Sequence, residues 1–170
     1  MMKYKVPVLG FSAFSGTGKT TLLVKLIPLL KKQGIRVSLI KHAHHDFDID
    51  IPGKDSYELR KAGADQVLVA SSKRRALIKE VSGEHGPELD ELIKELDLSN
   101  TDLVLVEGFR HVPFPKIELH RRSLNNSLIF PQDANIIAVA SDEVIDTGRL
   151  PRLDINQPEE IVGFIEDWMN

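Results

Sequence analysis

Ala13-Phe14-Ser15-Gly16-Thr17-Gly18-Lys19-Thr20 decides the reading of this sequence. Two glycines two positions apart permit backbone conformations that turn successive N–H groups toward one centre, which makes a nest for phosphate oxygens. Lys19 brings an ammonium to the β- and γ-phosphates and Thr20 a hydroxyl to Mg²⁺. A helix starting at Gly18 would aim the positive end of its dipole at the same point. The run fits the Walker A pattern except that Ala13 replaces the first glycine, and at a turn position a methyl group is a small intrusion. The expected ligand is a nucleoside triphosphate held by Ser15, Gly16, Thr17, Gly18, Lys19, Thr20 and Thr21.

The flanks agree with that reading. Residues 6–14 are apolar and read as a buried strand, while residues 18–33 place Leu22, Leu23, Leu26, Ile27 and Leu30 on one helical face. Gly34 stands where a helix end wants a left-handed residue. Pro28 lacks an N–H and is expected to kink the helix. Further strands are expected at 35–41, 66–71, 76–81, 102–106, 116–120 and 136–140. Helices are expected from Asp55, where Asp55 and Glu58 have capping-box spacing, to Gly63, from Gly86-Pro87 to Leu96, and over 158–169. Strands separated by helices give an α/β fold of the P-loop NTPase (Rossmann-like) type, three layers with a largely parallel sheet, here in one domain over residues 1–170. Residues 110–135, broken by Pro113, Pro115 and Pro131, are expected to form a hairpin excursion.

Mg²⁺ prefers oxygen ligands and keeps several waters, so one or two carboxylates near the phosphates suffice. The apolar run Leu103-Val104-Leu105-Val106 delivers Glu107 to its carboxyl end, a Walker B arrangement with Glu for Asp. Asp102, at the other end of that strand, is expected to be structural or exposed. The loop His42-Ala43-His44-His45-Asp46-Phe47-Asp48-Ile49-Asp50 lies at the ligand edge of such a sheet. Its side chains suit Mg²⁺, the γ-phosphate, a substrate or a transition metal, or are simply solvated. Asp46 is the candidate second metal ligand, direct or through water. Asp142, after the strand at 136–140, either accepts from a guanine base or caps the local backbone.

Composition excludes other chemistries. With no cysteine there is no thiol nucleophile, thiolate zinc site or disulfide, which suits a reducing cytosol. A net charge of −3 supplies no field for nucleic acid or anionic lipid, and no apolar run approaches the roughly 18 residues that span a bilayer. A cytoplasmic protein without nucleic-acid or membrane partners is expected.

Taken together, residues 15–21, Lys41-His42-Ala43-His44-His45-Asp46, Pro52-Gly53-Lys54-Asp55-Ser56, Val106-Glu107-Gly108-Phe109 and Pro115-Lys116-Ile117-Glu118 resemble the molybdopterin-guanine dinucleotide biosynthesis protein B (MobB) family. The resemblance implies a GTP-binding adaptor with weak Mg²⁺-dependent GTPase activity in molybdenum cofactor biosynthesis. Its partners would be the guanylyltransferase that attaches GMP to molybdopterin and molybdopterin-bearing proteins. It also implies a homodimer built through an extended sheet, for which the 110–135 hairpin is the expected element.

In such a protein Lys19 and the loop amides stabilise the transferred phosphoryl group, Thr20 and Glu107 position Mg²⁺, and Asp46 or Glu107 orients water. No loop supplies an evident arginine finger, so intrinsic hydrolysis should be slow. Some related ATPases carry a second lysine early in the loop that reaches across a dimer, but Phe14 and Ser15 occupy that stretch here. The alternative is a small-molecule kinase or ATP-dependent ligase-like enzyme in which His42, His44, Lys54 or Arg121 contacts the acceptor.

Overall fold

The apolar run ahead of the phosphate loop forms β1 (Val8–Ser12), buried at all five positions. A strand without polar alternation belongs in a parallel sheet covered on both faces. The computed structural model describes residues 4–43, 47–81 and 86–170. By density of contact the chain falls into two units, residues 1–42 with 88–170, and residues 43–87.

The first unit carries β1, α1 (Lys19–Lys32), β2 (Val37–Lys41), α3 (Leu89–Glu95), β5 (Leu103–Glu107), β6 (Lys116–His120), β7 (Ile136–Ser141), β8 (Arg152–Asp154) and α4 (Pro158–Met169). Its sheet runs β2-β5-β1-β6-β7-β8, and every neighbouring pair is parallel. Side-chain alternation sorts the strands onto two covers. Leu9, Phe11, Leu103 and Leu105 pack with Leu26 and Leu30 of α1 and Ile161 and Ile165 of α4, while Val8, Val104 and Val106 pack with Leu89 and Ile93 of α3. The three-layer α/β architecture expected of a P-loop domain is therefore present in this unit.

Helix α1 runs unbroken through Pro28. It ends at Gly34, φ +82°, where Ile35 N–H donates to Leu30 O and Gly34 N–H to Lys31 O, a pair of bonds that only a left-handed residue closes without strain. The C-terminal helix has the expected limits. Strand β8 was not anticipated, since three residues are too few to carry a periodic signal.

Three local expectations need correction. Residues 110–135 form no hairpin: they supply β6, the sheet's neighbour of β1, and two 3₁₀ turns at Arg122–Leu124 and Phe130–Gln132. The two charged side chains of this strand are buried and satisfied. Lys116 Nζ donates to Arg110 O (3.2 Å) and Val112 O (2.7 Å) and pairs with Asp133 (2.9 Å). Glu118 accepts the amides of Ile129 and Phe130, both at 2.8 Å. Second, Lys54 and not Asp55 precedes α2 (Asp55–Lys61), and no side chain caps it, so Asp55 and Glu58 serve only as first-turn acids. Third, Pro87 lies before the N-cap Glu88 of α3.

The second unit holds α2 and an antiparallel hairpin of β3 (Gln66–Ala70) and β4 (Arg75–Lys79) in register Leu68↔Leu77. The turn between them is closed by Ser71, whose Oγ accepts the amides of Lys73 and Arg74. No described residue of this unit is buried. Arg60 organises it by pairing with Asp48, Asp50 and Glu80 and lying 5.3 Å over the Tyr57 ring.

Candidate phosphate site

Because all six strands run parallel, their carboxyl ends share one edge, and the strand order reverses beside β1, where α/β sheets bind ligands. The loop after β1 emerges there. Gly16 and Gly18 take φ +80° and +93°, and Gly18 is the N-cap of α1. Thr17 is buried, its Oγ1 donating to Phe14 O at 2.9 Å, which fixes the loop's curl. Lys19 Nζ folds back to Ala13 O (3.1 Å) and Phe14 O (3.2 Å), so its ammonium closes the loop from the helix side. Ser15, Gly16 and Thr20 are exposed, as is Thr21 one step into the helix. Ser12 Oγ, buried at the root of the loop, is the one such atom without a hydrogen-bond partner among the described residues.

Glu107 ends β5 beside Phe11 of β1 and Lys41 of β2. Thr20 Oγ1 donates to its Oε1 at 3.1 Å, and Lys41 Nζ stands 3.5 Å from its Oε2. A hydroxyl and a carboxylate oxygen brought together next to a phosphate loop fit the hard-oxygen preference of Mg²⁺. No group of three or more His, Cys, Asp or Glu side chains suited to a metal occurs among the described residues. Asp46, His44 and His45 lie outside them. His42, the described histidine of that loop, donates its amide to Glu107 O (2.9 Å) and stacks its ring on Phe109 at 4.7 Å.

The turn after Glu107 is tightly specified. Gly108 has φ +108°, and a Cβ there would come within 2.7 Å of His42 Cβ. Phe109 follows at φ +55°, a left-handed conformation that costs a bulky residue of order 1 kcal/mol or more. This double turn leads to Arg110, whose guanidinium carbon lies 4.6 Å from the centre of the Phe14 ring. Beyond it a cavity of about 250 Å³ is lined by Arg110, His111, Ile129, Gln132 and Asp133.

Positive charge dominates the site. Burial pushes the Lys19 ammonium below its usual range, Glu107 opposes the shift, and the like charges of Arg110 and Lys41 add to it. A phosphate would relieve that repulsion. On the other flank Arg121 Nε donates to Thr17 O at 3.1 Å, while its Nη1 reaches Asp142 (3.4 Å) and Asn156 (3.3 Å). Asp142 also accepts the Arg122 amide at 2.9 Å, and that bond holds its carboxyl below the ordinary range against the effect of burial. The structure thus brings Lys19, Thr20 and Glu107 together and sets Asp142 on the Arg121 side of the loop. Lys41 and Arg110 were missed as site residues; the one available signal was their position, at the end of β2 and three residues past Glu107.

Comparison with known proteins places this site in a family. The sequence model for "Molybdopterin guanine dinucleotide synthesis protein B" matches residues 8–142. The chain is 50% identical over 170 residues to the molybdopterin-guanine dinucleotide biosynthesis adapter protein of Escherichia coli K12, covering 98% of this chain and 95% of that one. It is 44% identical over 170 residues to the protein of the same description from Haemophilus influenzae, covering 99% and 93%. A crystal structure of molybdopterin-guanine biosynthesis protein B superposes with a TM-score of 0.73 at 30% identity, covering 95% of this chain and 99% of the other. With its phosphate loop, its Thr20–Glu107 pair and these relatives, the chain belongs to the molybdopterin guanine dinucleotide synthesis protein B (MobB) family.

Proposed function

We propose that this protein is a GTP-binding adaptor of molybdopterin guanine dinucleotide biosynthesis, with weak Mg²⁺-dependent GTPase activity, working in the cytoplasm beside the guanylyltransferase and molybdopterin-bearing proteins. The observation that carries the nucleotide part is the curled loop of residues 13–20 closed by Lys19, with Thr20 and Glu107 meeting at 3.1 Å next to it. The adaptor role follows from the descriptions of its relatives. The amides around Gly16 and Gly18 receive the phosphate chain, and Lys19 moves its two hydrogen bonds from loop carbonyls to phosphate oxygens. Thr20 and Glu107 would hold Mg²⁺, which would supply positive charge to offset that of the phosphates. Glu107 or Asp46 would orient water, and Asp142 is the candidate acceptor for the guanine N1 and amino group. On the same reading the protein is a homodimer. The exposed β3–β4 hairpin, with Leu68 and Leu77 paired on it, is the surface we assign to that contact.

The decisive experiment is calorimetric titration of the full chain with GTP and Mg²⁺. The wild type should bind and raise its melting temperature as GTP is added, because a ligand taken only by the folded form stabilises it. Lys19→Ala should show no measurable heat. Wild-type affinity in that variant would remove the loop from the account, and no binding by the wild type would remove the function.

A further inference from the structure

We infer that Arg110 is a phosphate-contacting residue supplied by the same chain, carried on the Phe14 ring and serving the terminal phosphate of bound nucleotide. The inference rests on the nucleotide reading above and assigns it one more group. Three features of the structure lead to it.

The first is placement. Arg110 stands three residues after Glu107, and the left-handed pair Gly108 and Phe109 turns the chain so that its side chain returns over the phosphate loop. The second is the platform. Phe14 occupies a variable position of the loop, its ring packs against the cluster of Ile129, Ile136 and Val139, and it carries the guanidinium at 4.6 Å. A cation held through the face of a ring keeps its planar fork of N–H donors for another partner. Among the described residues Arg110 makes no ion pair and donates no hydrogen bond that would spend them. The third is anchorage. The Arg110 carbonyl is gripped by buried Lys116, which also holds Val112 O and Asp133, so the backbone is fixed where the side chain departs. Arg110 feels the carboxylate of Glu118 at longer range without pairing with it, and fixed support under a guanidinium whose N–H donors are uncommitted is what a preorganised charge stabiliser requires.

In hydrolysis a water oxygen forms a bond to the γ-phosphorus as the bond to the β–γ bridging oxygen breaks. The electron pair of that bond stays on the β-phosphate of GDP, and the water proton passes to the released phosphate. Arg110 offsets the negative charge that grows on the γ- and bridging oxygens, which is what an arginine in that position contributes.

The test compares wild type, Arg110→Ala and Arg110→Lys for GDP affinity, for binding of GDP with Mg²⁺ and aluminium fluoride, and for single-turnover GTP hydrolysis. Expected for Arg110→Ala are GDP affinity within about threefold of wild type, hydrolysis slower by about 10³-fold and loss of the aluminium fluoride complex. Arg110→Lys should recover part of both, since it returns the charge without the fork. A matching melting temperature checks that each variant is folded. Hydrolysis and aluminium fluoride binding unchanged in Arg110→Ala, or no such complex in a wild type that binds GDP, overturns the Arg110 inference alone. A wild type that binds no guanine nucleotide overturns the nucleotide reading and this inference together.

Discussion

Residues 1–42 with 88–170 own every buried apolar side chain among the described residues, whereas residues 43–87 own eight of the eleven large apolar side chains that are exposed. The first unit closes two layers of helix over a six-stranded sheet. The second has one short helix, one hairpin and a single arginine tied to three carboxylates. Two strands and a two-turn helix cannot bury enough surface to stand alone in water. The difference separates a scaffold that holds its phosphate loop by burial from an appendage whose apolar side chains, Leu68 and Leu77 among them, call for cover from elsewhere.

The largest effect should come from breaking the scaffold. Leu26 is fully buried between α1 and the sheet, one turn and a half from the phosphate loop. Leu26→Ala should cost about 2–5 kcal/mol of stability, the range for a leucine cavity that cannot collapse. Urea unfolding followed by circular dichroism measures it, and a loss below about 1 kcal/mol would mean that the core is not the source of this unit's stability.

The next test leaves the scaffold alone and alters the appendage. Leu68→Lys with Leu77→Glu puts opposite charges across the ladder, which keeps the hairpin paired while removing its apolar surface. On the homodimer reading, light scattering should fall from twice the 19.1 kDa chain mass to the chain mass itself, with GTP affinity and the melting temperature of the main transition unchanged. A dimer that survives would place the contact outside this hairpin, and a wild type that is already monomeric would remove the dimer.

The contrast also explains what could be read in the sequence. The loop at 13–20, Glu107 at the end of its strand and the helix over 158–169 are local patterns, in which neighbours in sequence make the feature. The hairpin at 66–79 was visible as two strands, but strand signals do not say which sheet a strand joins, so its separation from the main sheet was not. The hairpin expected over 110–135 rested on Pro113, Pro115 and Pro131, which mark breaks in the chain but not where the strand between them goes; β6 lies inside the main sheet, with Lys116 and Glu118 buried and satisfied by carbonyls and amides of the flanking loops. Arg110 escaped for the same reason: its meaning depends on Phe14, 96 positions away, arriving beneath it.

The smallest effect should come from acid, and it bears on the same contrast. In the first unit Arg36 gives its amide, Nε and Nη2 to Asp102 at 2.8, 2.8 and 2.6 Å, and these bonds hold the Asp102 carboxyl down to about 2. In the second, the hydrogen bond from Arg60 holds Asp50 below the ordinary range. A carboxyl whose folded value is depressed adds stability above its unfolded value, about 3.9, and that stability is lost as pH falls toward the folded value. The Asp102 contribution should therefore be complete above about pH 4 and gone near pH 2, and salt should weaken it because both partners are partly solvated. The gap in melting temperature between wild type and Asp102→Asn should be present at pH 6 and close between pH 4 and 2; a gap that stays open at pH 2 would trace the loss to shape and not to charge. Amide exchange over 55–79 should accelerate in the same descent before the sheet of the first unit opens, since Arg60 has no buried core behind it to take over when Asp50 is protonated. Exchange that rises in both units together would mean that the second draws its stability from the first.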